Sequence, residues 1–179
     1  MDKKESFLFE AAMGYEYCKK TQHYEGSTME EMLKKKYGFS YNEYLDEIKR
    51  IQNLCRYKTK DGQQKEIYKI RFGHKENFLK WYFDHWSADG SAKCYYCGVT
   101  ERECRETLGK LTERATTRSQ HLEIERLEPK GNYDSKNCVL ACYVCNNAKS
   151  DFMSEEEFKE LIPGIQAFWK SQREKQNKK

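Results

Sequence analysis

The feature that most constrains this 179-residue chain is a pair of identical cysteine spacings. Cys94 and Cys97 form one Cys-x-x-Cys pair, Cys142 and Cys145 form the other, and 44 residues separate the two pairs. Four thiolates arranged in two such pairs can close a tetrahedral zinc site, and a structural site of this kind contributes folding free energy directly. The spacing therefore predicts a structural Zn²⁺ centre that holds both ends of residues 94–145 together.

The rest of the chain is typical of a protein that is not secreted. The N-terminus has no apolar core of signal-peptide length, and no stretch approaches the roughly 20 apolar residues that span a bilayer. We therefore expect a cytoplasmic protein in a reducing compartment, with no membrane association and no disulfide framework. The remaining cysteines show no pairing pattern and are interpreted as ordinary thiols: Cys18, Cys55, Cys104 and Cys138.

Small and turn-forming residues at 88–91 mark a boundary between a first part and the zinc-binding part. Residues 1–89 are predicted to be helices and a hairpin that serve in DNA binding or dimerisation. Residues 90–153 are predicted to be the domain that carries the zinc centre. Residues 154–179 are predicted to form a C-terminal helix with a basic tail.

Within the first part, apolar spacing predicts helices over 5–20 and 28–55, the second with a break near Gly38. Ser40 followed by Glu43 is typical of a capping box, in which each residue satisfies a backbone N–H of the other. Alternation around the turn Asp61-Gly62 predicts a hairpin in 56–72. Residues 75–86 are predicted to form an amphipathic helix whose aromatic side chains are core.

The C-terminal part carries a second capping box, formed by Ser154 and Glu157, that predicts the start of a helix. Pro163-Gly164 is expected to interrupt that helix, because proline lacks the N–H that a helix interior needs. An apolar face is predicted to continue beyond the interruption through Ile165, Phe168 and Trp169.

The segment between the cysteine pairs has the pattern of two strands and a helix. Residues 120–127 alternate charged and apolar side chains, which predicts a strand with Leu122 and Ile124 pointing inward. Residues 138–141 form a second short predicted strand, and a helix is expected to begin near Asn146. A zinc-bound unit with the order strand, loop, strand, helix follows from this pattern.

This order of motifs resembles the HNH endonuclease family, the ββα-metal nucleases. The resemblance covers about residues 92–153 and rests on the leading Cys-x-x-Cys, the segment Ile124–Pro129, the position of Asn137, and the closing Cys142-x-x-Cys145-Asn146-x-x-Lys149. It implies an α+β fold: a zinc-anchored ββα unit preceded by a mainly helical extension and followed by a C-terminal helix.

The resemblance also implies roles for individual residues. Glu125 and Asn146 correspond to the ligands of a catalytic Mg²⁺ or Mn²⁺, and a carboxylate and an amide oxygen are the hard ligands that such ions prefer. Asn137 corresponds to the residue that positions the loop between the two strands and orients the general base. Lys149, one helical turn after Asn146, is expected to face the DNA phosphate that binds this ion.

One position departs from the family pattern. Arg126 stands where the family usually has the histidine that deprotonates the attacking water, and arginine stays protonated in proteins. Arg126 can instead clamp the phosphate through two hydrogen bonds. Three interpretations of the general base are open. His121 is the base if a bulge, or a register that brings Glu123 rather than Glu125 to the metal, moves it closer. Otherwise Glu123 or a metal-bound hydroxide acts as the base, or the site is weakened.

Charge distribution suggests where nucleic acid would bind. Residues 49–80 carry ten lysines and arginines against three acids, and residues 170–179 carry five bases against Glu174 alone. The zinc-binding part, residues 90–153, is nearly neutral, with ten bases and nine acids. The two basic segments are therefore the candidates for salt-sensitive phosphate contacts with double-stranded DNA. Dimerisation is an expectation by resemblance, because small HNH restriction enzymes often act as homodimers.

Together these patterns predict a metal-dependent endonuclease that hydrolyses DNA phosphodiester bonds, of restriction or homing type. A non-catalytic zinc module that binds nucleic acid through a degenerate nuclease site is the alternative. A protein-interaction domain of treble-clef type is a third interpretation, and it predicts no salt-dependent DNA binding.

Overall fold

A computed structural model describes residues 3–13, 23–24, 27–38, 40–54, 56–58, 64–66, 72–111 and 120–177. The chain divides into two compact units, Met1–Asp84 and His85–Lys179. The helices are α1 Lys3–Met13, α2 Met29–Met32, α3 Tyr41–Leu54, α4 Lys75–His85, α5 Glu101–Leu111, α6 Tyr143–Lys149, α7 Glu155–Lys159 and α8 Ile162–Asn177. The strands are β1 His23–Tyr24, β2 Ser27–Thr28, β3 Arg56–Lys58, β4 Gln64–Glu66, β5 Glu123–Arg126 and β6 Cys138–Ala141. The strands pair antiparallel in three two-stranded sheets: β1 with β2, β3 with β4, and β5 with β6.

In the first unit, the predicted helix break at Gly38 is confirmed. A π-helical turn over Leu33–Tyr37 follows α2 and ends at Gly38, whose φ of 76° lies in the left-handed region that glycine adopts without steric cost. The Ser40 capping box is also confirmed: the Ser40 backbone N–H donates to the Glu43 carboxylate at 2.7 Å, and the Glu43 N–H donates to the Ser40 hydroxyl at 3.3 Å. Local patterns thus set the start of α3.

The core of the first unit is built from the apolar faces of α1, α3 and α4. The aromatic helix predicted at 75–86 is confirmed as α4, and its aromatic side chains are core as expected. The predicted hairpin is confirmed as the β3–β4 pair, whereas its turn Asp61-Gly62 lies outside the described residues, as do Cys18 and Cys55. The part of the predicted helix 5–20 beyond Met13 is likewise not described. Buried side chains include Leu8, Ala12, Tyr44, Ile48, Ile51, Phe78, Leu79, Trp81, Tyr82 and Phe83.

The second unit contains the ββα arrangement. β5 pairs with β6 in the register Glu123 with Ala141 and Glu125 with Val139, and α6 packs on β5. Between the first cysteine pair and β5 lies α5, which the sequence analysis did not predict. A Thr100–Glu103 capping box begins α5, with the Thr100 N–H on the Glu103 carboxylate at 2.7 Å. That local motif was the signal for this helix.

Two details of the second unit differ from the predictions. Leu122 is buried, but Ile124 is only half-buried, and Glu125 on the opposite face of β5 is buried instead, because α6 covers that face. The C-terminal helix breaks earlier than expected, between α7 and α8, so Pro163 lies in the first turn of α8. Proline is tolerated there because the first N–H groups of a helix have no partner within it.

The predicted α+β class is confirmed, since helices accompany a small antiparallel sheet and the four paired cysteines cluster. The capping box at Ser154 and Glu157 is confirmed as the start of α7. Among the helices described here, none has the length and apolar character needed to cross a bilayer. The predicted domain boundary between residues 89 and 90 stays a prediction.

Candidate active site and zinc centre

The two Cys-x-x-Cys pairs meet, as the spacing predicts. The Sγ atoms of Cys94, Cys97, Cys142 and Cys145 all lie within 4.8 Å of one another, and all four residues are buried. The first pair sits in a turn closed by a hydrogen bond from the Gly98 N–H to the Cys94 carbonyl, 3.0 Å. In the second pair, Cys142 caps α6 and its sulfur accepts the Cys145 N–H at 3.4 Å. A turn and a helix start therefore present the four sulfurs to one point.

This sulfur cluster fits a zinc ion. Zn–S bonds of about 2.3 Å in a tetrahedron place sulfurs about 3.8 Å apart, and the Cys97 and Cys142 sulfurs are 3.7 Å apart. Hydrogen bonds from neighbouring thiols, Cys142 first, lower the pKa of Cys94, whereas the same proximity raises the pKa of Cys97 and Cys145. A cation bound among the four sulfurs would stabilise their thiolate forms, as in a structural metal centre.

A polar cluster lies beside the four-cysteine cluster, between β5 and α6. Glu123 and Glu125 are two residues apart on a strand and so share one face, and that face meets α6. Two side chains of α6, Asn146 and Lys149, are three residues apart on the helix and so also share a face. The Asn146 side-chain amide donates to the Glu123 carboxylate, and the Lys149 ammonium donates to the Glu125 carboxylate.

The pair of Glu125 and Lys149 is deeply buried. The Lys149 side chain has no exposed surface, that of Glu125 is 9% exposed, and their charged atoms are 3.3 Å apart. Lys149 also donates to the backbone carbonyl of Arg126 at 2.8 Å. Burial raises the pKa of Glu125, and the attraction of Lys149 opposes that rise. In this structure Lys149 thus contacts Glu125 in the interior, and its expected contact with a phosphate stays a prediction.

Arg126 points away from that pair. Its guanidinium donates to the Asp151 carboxylate at 2.6 Å and to the Gly131 carbonyl at 3.4 Å, and it lies 4.6 Å from the centre of the Tyr133 ring. A cation over an aromatic face is attracted by the ring quadrupole. The guanidinium is therefore held at the edge of the loop. A phosphate bound by the same nitrogen would replace the carboxylate of Asp151.

Asn137 clamps the loop between β5 and β6. Its side-chain oxygen accepts the Glu128 N–H at 2.9 Å, and its side-chain nitrogen donates to the carbonyls of Glu128 at 3.1 Å and Asn132 at 2.8 Å. A Cβ placed on Gly131 would lie 2.5 Å from that nitrogen, so the loop passes Asn137 at a distance that only glycine permits. These contacts suit the loop-positioning role that the resemblance implies.

His121 is held by a residue that the sequence analysis missed. Glu101, at the start of α5, is buried, and one of its oxygens lies 3.2 Å from His121 Nδ1. The same carboxylate accepts the Leu122 N–H at 3.1 Å and the Trp86 indole N–H at 3.4 Å. The Thr100 capping box could have indicated the helix that carries Glu101, but no sequence signal linked it to a histidine 20 residues later.

The chain is similar to a curated protein over part of its length. No protein-family model matches the chain. A curated relative, "SPbeta prophage-derived putative HNH endonuclease YoqL" of Bacillus subtilis (strain 168), is 34% identical over 64 residues, which are 36% of this chain and 26% of the relative. The chain thus spans about a quarter of that relative's length. A solved structure of the rare-cutting HNH restriction endonuclease PacI shares 30% identity over 55% of this chain and 65% of its own, with a TM-score of 0.45.

The predicted resemblance to the HNH endonucleases is confirmed, because a curated relative carries that name and the four cysteines cluster as a zinc-anchored unit requires. The class of protein to which this chain is similar is therefore a nuclease class. The four-cysteine cluster is compatible with zinc binding, as the spacing predicted.

Proposed function

We propose that the protein is a divalent-metal-dependent endonuclease of the HNH type that hydrolyses phosphodiester bonds of double-stranded DNA. The observation that carries this proposal is the set of side chains between β5 and α6. Glu125 lies on β5, which pairs with β6, and β6 leads directly to Cys142. Asn146 lies on α6, which begins directly after Cys142. We infer that these two residues hold Mg²⁺ or Mn²⁺, while Cys94, Cys97, Cys142 and Cys145 hold a structural Zn²⁺.

The donor set fits such an ion. Glu125 supplies a buried carboxylate and Asn146 a half-buried amide, and hard oxygen ligands of this kind suit Mg²⁺ and Mn²⁺. An ion bound there would stabilise the charge that develops on the phosphate and on the leaving oxygen. Burial raises the pKa of Glu125, and the ammonium of Lys149 opposes that rise, which favours the ionised carboxylate that a metal ligand needs.

The other site residues are assigned by their contacts. Arg126 is proposed to bind the scissile phosphate after its hydrogen bond to Asp151 breaks, and Asn137 is proposed to fix the loop between β5 and β6. His121 is a candidate base: if its Nδ1–H donates to Glu101, the lone pair of Nε2 can accept a proton. Glu123 is the competing candidate base. A His121→Ala variant with undiminished cleavage would remove His121 from the mechanism.

Binding to DNA is proposed to depend on the basic segments 49–80 and 170–179. Several of their described cations already contact acids: Arg50 with Glu47, Lys80 with Glu76 at 2.6 Å, and Arg173 with Glu103 at 2.6 Å. Any phosphate contact by these three side chains therefore costs an ion pair. We propose that the enzyme is a homodimer, which sedimentation with DNA tests. We also propose that it is of restriction or homing type, which sequencing of the cleavage ends tests.

The test is nicking of supercoiled plasmid with Mg²⁺ or Mn²⁺ by the wild type, Asn146→Ala and Asn147→Ala. Asn147 is the matched control, because it is exposed and its side chain donates to the Tyr143 carbonyl of its own helix at 2.7 Å. We expect Asn146→Ala to lose cleavage and keep DNA binding, and Asn147→Ala to behave as the wild type. Salt-dependent binding by a wild type that never cleaves would favour the non-catalytic zinc module instead.

A further inference from the structure

The contact between Glu123 and Asn146 has a direction. A carboxylate only accepts hydrogen bonds, so the Asn146 atom that meets Glu123 is the amide nitrogen Nδ2. The two terminal atoms of an amide lie on opposite sides of its carbon, so this bond turns Oδ1 away from Glu123. From this geometry we infer that Glu123 is a positioning residue, which fixes the Asn146 amide with its oxygen presented to a divalent cation. The inference rests on the proposed function.

The backbone does not fix the rotation of the Asn146 side-chain amide. The backbone of Asn146 is held at both ends, because its N–H donates to the Cys142 carbonyl at 2.9 Å and its carbonyl accepts the Ser150 N–H at 3.0 Å. Glu123 is held as well, since it pairs with Ala141, the residue before Cys142. The zinc-bound segment therefore sets where both residues lie, and the side-chain hydrogen bond sets which amide atom faces the site.

That choice matters chemically because only the oxygen of an asparagine amide binds a hard divalent cation. Without an acceptor at Glu123, the nitrogen and oxygen can exchange places, and the bound state must first select the productive orientation. Partners that orient metal ligands in this way affect metal affinity or activity by about 10–100-fold when they are removed. Glu123 is the only residue for which the sequence left a ligand role open in competition with Glu125, and the two roles predict different variants.

The first experiment compares Mn²⁺ affinity, measured by EPR titration of the zinc-loaded protein, in the wild type, Glu123→Gln and Glu123→Ala. Glutamine keeps an oxygen that accepts from Nδ2, so we expect Glu123→Gln to stay close to the wild type. Alanine removes the acceptor, so we expect an affinity lower by about 10–100-fold. Equal losses in both variants would mean that the charge of Glu123 binds the ion directly, and they would overturn the positioning role.

The second experiment repeats Glu123→Ala in an Asn146→Asp background. A carboxylate presents two equivalent oxygens and needs no orientation, so we expect Glu123→Ala to cost no Mn²⁺ affinity there, or to raise it by removing a like charge. An equal loss in both backgrounds would overturn the inference, because the loss would then not pass through the amide. Zinc content and the thermal midpoint serve as folding controls in every variant.

An NMR measurement without added Mn²⁺ gives an independent readout. One side-chain amide proton of Asn146 should be shifted and protected in the wild type and in Glu123→Gln, and lose both properties in Glu123→Ala; unchanged signals would contradict the contact. Asn146→Ala separates the two levels of the proposal. If it leaves Mn²⁺ affinity unchanged, the proposed function fails and the inference fails with it. If it lowers the affinity while Glu123→Ala does not, only the inference fails.

Discussion

Replacing Lys149 by methionine is the substitution that best separates a buried role from a phosphate-binding one. Methionine keeps much of the volume and removes the ammonium that donates to Glu125 and to the Arg126 carbonyl. The variant leaves a carboxylate and a carbonyl without their donor in a site from which water is largely excluded. We therefore expect loss of stability as the first effect, ahead of any change in DNA binding.

The size of the loss follows from the geometry. Two unit charges 3.3 Å apart attract by about 5 kcal/mol at an effective dielectric constant of about 20. Removal of one partner of a buried pair typically destabilises a protein by about 3–5 kcal/mol, because the other charge stays desolvated. A domain with about 5–15 kcal/mol of total stability would lose a large share of it. We expect a drop of about 3–5 kcal/mol for Lys149→Met.

The assay is urea unfolding of zinc-loaded protein without added Mg²⁺, with two comparison variants. Lys159→Met removes a lysine that is half-exposed and paired with Glu156 at 2.7 Å, so it should lower the stability far less than Lys149→Met does. The double variant Glu125→Gln, Lys149→Met leaves no unpaired charge and should be more stable than Lys149→Met alone. That recovery measures the coupling between the two side chains.

The effect should also depend on pH in one direction. Burial already raises the pKa of Glu125, and loss of Lys149 raises it further. A carboxyl group whose pKa is raised in the folded state destabilises that state as the pH rises through the folded pKa. The difference between wild type and Lys149→Met should therefore be smallest at acid pH and grow toward neutrality. A Lys149→Met variant with wild-type stability and weakened DNA binding would refute the buried role.

Three further predictions concern the surroundings of the site. Gly131→Ala should lower the thermal midpoint, because its Cβ would lie 2.5 Å from the Asn137 side chain, and an unchanged midpoint in calorimetry would contradict that close approach. Glu101→Ala should destabilise the fold by at least about 1–3 kcal/mol in urea unfolding, since buried donors lose their acceptor, whereas the exposed control Glu106→Ala should not. Removal of zinc by a chelator should unfold the second unit, and so should Cys145→Ser. The measurement is far-UV circular dichroism, with metal analysis to show that zinc is gone. An unchanged spectrum of the zinc-free protein would contradict this prediction.

The parts of the fold that the sequence predicted are those fixed by neighbours in the chain. The capping boxes at Ser40 and Ser154 depend on residues three positions apart, so the motif and the contact coincide. The same motif, formed by Thr100 and Glu103, marks the start of α5. The break at Gly38 follows from the left-handed backbone that glycine adopts readily. The cysteine spacing predicted a cluster because two such pairs can together close a tetrahedral metal site.

The arrangement of the candidate site was not predictable in the same way. Alternation along β5 placed Leu122 and Ile124 inward on the assumption that charged side chains face water, yet α6 covers the charged face and buries Glu125. Lys149 was expected at a phosphate because it lies one turn after Asn146, and the contact of its ammonium with Glu125 was not expected. Sequence periodicity gives the face of an element and not what covers that face.

By itself, then, the amino-acid sequence determined the clustering of the four paired cysteines, the α+β class and the resemblance to the HNH endonucleases. Only the tertiary structure decided that Asn146 meets Glu123, that Lys149 meets Glu125 and that His121 meets Glu101. The reason is physical: hydrogen bonds within one turn of a helix are set by local geometry, whereas each of these contacts joins residues at least 20 positions apart. Such pairs form where packing brings two elements together, and the burial that follows sets the charge and the pKa of each group.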